Sequence, residues 1–288
     1  MTPPLPPALT DRFASLGRVP PPALTDARRV LHWAAQPVAA LGFSVLPARE
    51  DYGHTALRWR DADGALCSQP HPATGLHAAL HPEPFALTLR EGDAERSRLD
   101  LAGQTLEQAY AWLGEALAHA GVPLHGPVVR PGHIDDLPAH PVAEGAAFEA
   151  PPPAHRRELA AWLAAAEALL QEVKRQISGL GEIQCWPHHF DTAALHVLRG
   201  EGESMRSVGV GLSPGDDSYP QPYVYVTPWP CPTGVLPELP TGHWHTEGWT
   251  GAVLLARSLL EVPAERRAAT VLEMIHAAHD RSVERLLA

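Results

Sequence analysis

The fold turns on the stretch His188-His189-Phe190-Asp191-Thr192-Ala193-Ala194-Leu195-His196-Val197-Leu198. It divides into two alternating rows, as a β-strand presents on its two faces. One row is His189, Asp191, Ala193, Leu195 and Val197; the other is His188, Phe190, Thr192, Ala194 and His196. The apolar Ala193, Leu195, Val197 row is expected to face the core, with His189 and Asp191 continuing it to the rim. Upstream, 155–177 carries Leu159, Trp162, Leu163, Ala166, Leu169, Leu170, Val173 and Ile177 at helical spacing, and Ser178-Gly179 ends it. Further strands are expected at 183–186, 207–212 and 223–227. A long helix followed by successive strands, with no βαβ alternation, indicates an α+β fold of antiparallel β-meanders flanked by helices.

The N-terminal part reads alike. A helix over 26–41 stops at Gly42, β-like runs follow at 43–46, 55–59, 75–80 and 85–89, and a helix over 105–120 closes the set. Beyond residue 230, a helix over 247–260 is expected with Thr246 as its N-cap, then another over 263–287. Prolines mark the boundaries: an arm over 1–22 and a connector over 123–154. The expected organisation is that arm, a helix–meander–helix scaffold at 23–122, the connector, and a similar half at 155–288 carrying the site. Each half alone would leave an open sheet edge, so the two are expected to share one body.

Composition removes several function classes. A net charge of −11 over 288 residues, with no basic patch, argues against nucleic acid. No apolar run approaches the roughly 20 residues of a membrane span, and the Pro-rich start does not read as a signal peptide, so a cytoplasmic protein is expected. Three scattered cysteines, Cys67, Cys185 and Cys231, give neither a disulfide framework nor a zinc ribbon. Lys174 is the sole lysine and sits in a helical, polar context. Schiff-base chemistry and a Walker-type phosphate loop both need a better-placed one.

Chemistry concentrates in two short segments. His243-Trp244-His245-Thr246-Glu247, if extended, turns two imidazoles and a carboxylate to one side, and His189 with Asp191 offers a second such pair. Imidazole plus carboxylate suits a divalent transition metal, zinc or iron. The expected ligands are therefore His189, Asp191, His243, His245 and Glu247, with Asp191 or Glu247 free to act as general base. If Thr246 caps a helix, only the two histidines of that segment ligate. Trp186, Tyr223, Tyr225, Trp244 and Asp217 are the expected substrate contacts, since aromatic walls around a few polar groups make a small-molecule pocket. Gly209 and Gly211 leave one strand face bare, open to a ring, a ligand or another backbone. Glu273-x-x-His276 lacks a partner helix of the same pattern, and His71, His77 and His81 lack a carboxylate at matching spacing. The reading is a metal-dependent hydrolase or oxygenase acting on a small molecule; the alternative is a non-catalytic small-molecule-binding or structural protein.

The block Trp186-Pro187-His188-His189-Phe190-Asp191 after a long helix, with Tyr223-Val224-Tyr225-Val226-Thr227-Pro228 later, resembles a family of bacterial proteins catalogued only as a domain of unknown function. The likeness covers about residues 25–230. Asp191 matches that pattern, whereas the paired histidines depart from it. The resemblance implies no activity, and it makes a metal site particular to this branch.

Overall fold

The computed structural model describes residues 5–122, 124, 126–130, 137–232, 234 and 236–288; Pro3, Pro4, Pro123 and Pro131 lie outside them. The chain begins with α1 (Pro7–Ser15) and α2 (Thr25–Val45). A meander follows: β1 (Leu57–Arg60), β2 (Ala65–Ser68), β3 (Leu76–His81), β4 (Ala86–Glu91) and β5 (Ala94–Asp100), then α3 (Leu106–His119). After α4 (Pro153–Gln176) come β6 (Gln184–Trp186), β7 (Asp191–Arg199), β8 (Arg206–Ser213) and β9 (Tyr223–Trp229). The chain ends with β10 (His243–His245), β11 (Gly251–Leu255), α5 (Ala256–Leu260) and α6 (Arg267–Leu287). Helices flank antiparallel strands, an α+β fold. No described helix is long and apolar enough to cross a membrane.

Two compact units divide the chain: 23–160 with 184–190, and 1–22 with 161–183 and 191–288, the division falling inside α4. The first, the β1–β6 unit, orders its strands β6-β1-β2-β3-β4-β5. The second, the β7–β11 unit, orders them β10-β11-β9-β8-β7. Residues 1–22, expected as a partly ordered arm, contribute α1, whose buried Leu9 and Phe13 belong to the β7–β11 unit.

In the β1–β6 unit, α2 is buried on nearly every side from Ala27 to Gly42, as a central helix must be when its apolar residues run all round it. It continues past Gly42 to Val45, taking up all but the last residue of the 43–46 run expected as a strand. Gly42 does not end the helix: a Cβ there would lie 2.1 Å from the His54 carbonyl oxygen, so its role is close packing. Register sorts the sheet into two faces. Trp59, Leu66, Leu80, Leu87 and Leu99 align across one. Arg60 with Ala65, Cys67 with Ala79, and His77 with Arg90 align across the other. That polar face carries the cluster described below.

The stretch 188–198, expected as one strand, crosses from one unit to the other and is not all strand. Residues 187–190 form a turn, and β7 starts only at Asp191. Pro187 has no N–H to give a ladder, and Phe190 adopts φ +60°, which breaks the alternation. His189 therefore does not continue Asp191's row and is exposed. The faces are also reversed: Leu195 is 42% and Val197 48% exposed, while Thr192 and Ala194 are buried. His196, on the inner face, stacks on His279 of α6 with Nδ1 and Nε2 2.9 Å apart. His279 is accordingly buried and His276 half-buried, as expected of a helix flanking the core.

The expected helix over 247–260 is another correction. Gly251–Leu255 is a buried strand, paired with β9 on one side and β10 on the other, and helix begins only at Ala256. Thr246 caps no helix; it is followed by a bend at 247–249 that holds the exposed Gly248 at φ +82°.

Candidate functional site

Of the expected metal ligands, the four in the β7–β11 unit do not converge. Within the β7–β11 unit, Asp191 lies on β7 and His243 and His245 on β10, four strand spacings apart in the sheet order. At ~4.8 Å per spacing that is about 19 Å. His243 and His245 do share a side of β10, as alternation requires, and meet at Tyr219. Its hydroxyl lies 3.0 Å from His243 Nε2 and 2.9 Å from His245 Nδ1. His245 Nε2 sits 2.7 Å from the Glu247 carbonyl oxygen and so must carry the proton of the neutral ring. Nδ1 then accepts from Tyr219, whose oxygen accepts from His243. Burial and the neighbouring His245 hold His243 below its usual range, in keeping with a neutral donor ring. Both histidines are committed to this chain of bonds, with Trp249 stacked on His245 at 4.3 Å. Glu247 enters through its main-chain carbonyl, while its side chain belongs to an exposed residue.

The tyrosines behave similarly. Tyr225 on β9 reaches over β8 and donates to the Asp191 carboxylate. It can do so because Gly211 lies between: a Cβ there would be 2.4 Å from the ring. The bare strand face is thus filled by a ring of the same chain. Tyr223 donates to Asp216, which also accepts the Tyr219 N–H at 2.8 Å; Asp217, the expected contact, is exposed in the turn. Burial, then the adjacent carboxylates, push Tyr223 and Tyr225 well above the usual phenol range. Trp244 alternates away from the histidines and donates to Pro237 O at 2.8 Å. Trp186 lies on β6 of the other unit, edge-on to His188. With all three phenol hydroxyls engaged internally, this face is a closed network, a latch across β7, β8 and β9.

A different constellation sits on the polar face of the β1–β6 unit. Asp63, Cys67 and His77 offer a carboxylate oxygen, a sulfur and an imidazole nitrogen, all within 4.8 Å of one another. Among the described residues they are the one such group of three. Local structure explains the meeting. The turn after β1 closes by the Asp63 N–H bonding to Arg60 O at 3.1 Å, with Gly64 at φ +57° beyond, which places Asp63 at the head of β2. Cys67 pairs with Ala79 across β2 and β3, and His77 lies two residues before Ala79 on the same face. Ala65, Cys67 and Ala79 form a buried floor of small side chains. No family model matches this chain, nor does any curated protein or solved structure.

Charge defines what this cluster can do. Asp63 is flanked by Arg60 Nε at 3.1 Å and Arg90 Nη2 at 3.4 Å. Arg60 also places Nη1 3.0 Å from His77 Nε2, while His77 Nδ1 lies 3.3 Å from Gly75 O. The guanidinium has only protons to give, so His77 is neutral, protonated on Nδ1, with the Nε2 lone pair facing the cluster. Burial first, then the two arginines, keep it below the usual histidine range. Cys67 Sγ is 3.9 Å from Asp63 Oδ2. Burial, then that carboxylate, push the thiol up to about 12. A thiol so protonated is no nucleophile, and a cation beside it is what favours thiolate. Sequence reasoning missed the group because its three residues come from a turn and two strands; no single segment holds two of them at ligand spacing.

Proposed function

We propose that the protein is a metal-dependent enzyme of the zinc class, its ion held by Asp63, Cys67 and His77 and its substrate a small molecule. The observation carrying this reading is the donor set: one sulfur, one imidazole nitrogen with its lone pair turned inward and one carboxylate oxygen, mutually within 4.8 Å. Tetrahedral zinc with bonds of about 2.0–2.3 Å needs ligand separations of roughly 3.3–3.5 Å, a small side-chain adjustment from there. Sulfur in the set favours zinc over an iron centre built from two histidines and one carboxylate. Three protein ligands leave a fourth position open, the pattern of catalytic and not structural zinc. His77 Nδ1, facing Gly75 O, supplies the outer bond that orients a ligating imidazole.

Cobalt(II) titration of the full chain tests the assignment. Tetrahedral d–d bands with a thiolate-to-cobalt charge-transfer band, lost in Cys67→Ser and in His77→Ala, are the expected result. Cobalt binding that retains its spectrum in Cys67→Ser would place the ion elsewhere and end the reading.

A further inference from the structure

We propose that the same site takes an oxyanion, the phosphate or carboxylate group of a small molecule, on Arg60 and Arg90 once a metal ion has displaced them from its ligands. This rests on the metal reading above and names the substrate class it implies. Arg60 spans both Asp63 and His77, so its guanidinium occupies the directions an ion would use. Ion and guanidinium compete for the same lone pairs, and one must leave. Arg60 can: its side chain is 41% exposed, whereas that of Asp63 is 4% exposed. Its stem can swing off both ligands without opening the core, leaving the guanidinium at the rim of the site.

Charge balance says what comes next. A dication offset by the Asp63 carboxylate and a Cys67 thiolate is neutral, which strips both guanidiniums of their counter-ion. Arg90, 14% exposed, is held in place without Asp63 by donating to Asp93 O at 2.6 Å. Its Nε is buried with no acceptor among the described residues. A buried charged donor without an acceptor is costly unless a ligand supplies one. Two guanidiniums beside the open coordination position match an oxyanion, which they can grip through paired N–H groups while one oxygen meets the ion.

The test uses the full chain loaded with cobalt(II), titrated with inorganic phosphate and, separately, with acetate, following the d–d bands. The expected result is a saturable band shift with at least one of them; phosphate alone or acetate alone identifies which oxyanion the site prefers. Arg60→Met should bind cobalt more tightly than the parent, because its competitor is gone, yet require roughly tenfold more anion for the same shift. Arg90→Met should show the anion defect too. The retained cobalt spectrum certifies that each variant is folded at the site. A cobalt spectrum dependent on Cys67 but indifferent to both anions overturns this proposal and leaves the metal reading standing. So does an identical anion response in parent and both variants. Absence of the Cys67-dependent spectrum refutes the metal reading and this proposal with it.

Discussion

Acid should loosen the β1–β6 unit through one residue, His32. Its ring is 3% exposed on α2, stacked on Phe190 at 5.1 Å, with Nε2 2.9 Å from Pro187 O and Nδ1 buried without a partner among the described residues. Burial, aided by Arg28 and the neighbouring His188 and His189, lowers its pKa from 6.5 to about 3. The folded chain therefore stays neutral there down to about pH 3, whereas the unfolded chain takes up a proton below 6.5. Unfolding binds a proton throughout that window, so stability falls as pH drops from 6.5, by about 1.4 kcal/mol per unit, and is unaffected above it. At pH 4 the loss is on the order of 3 kcal/mol, a large share of a typical domain's stability. His32→Gln keeps a donor for Pro187 O and cannot titrate. Hydrogen exchange of peptides from 25–45, compared between parent and variant at each pH, cancels the intrinsic exchange rate and reports this unit alone. The parent's protection should fall relative to the variant's between pH 6.5 and 4. Parallel pH dependence in the two proteins would refute the reasoning.

Gly211→Ala should cost about 1–3 kcal/mol in urea denaturation, because a Cβ 2.4 Å from the Tyr225 ring forces it off β8 and away from Asp191. Gly209→Ala, whose nearest obstacle is the Thr227 hydroxyl at 2.7 Å, is the milder control; equal midpoints for parent and Gly211→Ala would contradict the latch. Asp216→Ala should lose on the order of 2 kcal/mol, since it removes a charged acceptor for Tyr223 and for the Tyr219 N–H. Asp217→Ala, exposed in the same turn, should stay within about 0.5 kcal/mol, and equal losses at both positions would show the assignment of roles to be mistaken.

Most elements were legible because their periodicity is local. The helix expected over 105–120 is present as Leu106–His119, started by a capping box in which Thr105 and Gln108 satisfy each other's main-chain N–H groups. Strands at Arg206–Ser213 and Tyr223–Trp229 fall within two residues of their expected ends. The misses have particular causes. Gly251-Ala252-Val253-Leu254-Leu255 is a short apolar run that helix and strand fit equally well, and only pairing with β9 and β10 decides it. β5 escaped notice because it is an exposed edge strand with charges on both faces, Glu95, Arg96, Arg98 and Asp100, and so has no apolar alternation. The site was less legible than the fold. His243 and His245 do point together, but toward Tyr219, which lies 24 and 26 residues away in sequence. Asp63, Cys67 and His77 are united only by the register of β1, β2 and β3, and register is not readable from residue spacing.

Anomalous scattering from zinc-soaked crystals, measured on both sides of the zinc absorption edge, tests the metal centre most directly. A single strong peak among Asp63 Oδ, Cys67 Sγ and His77 Nε2, at about 2.0–2.3 Å from each and with Arg60 turned out, is the predicted result. A peak at His243 and His245 instead, or none at Cys67 with Arg60 still on Asp63 and His77, would contradict it.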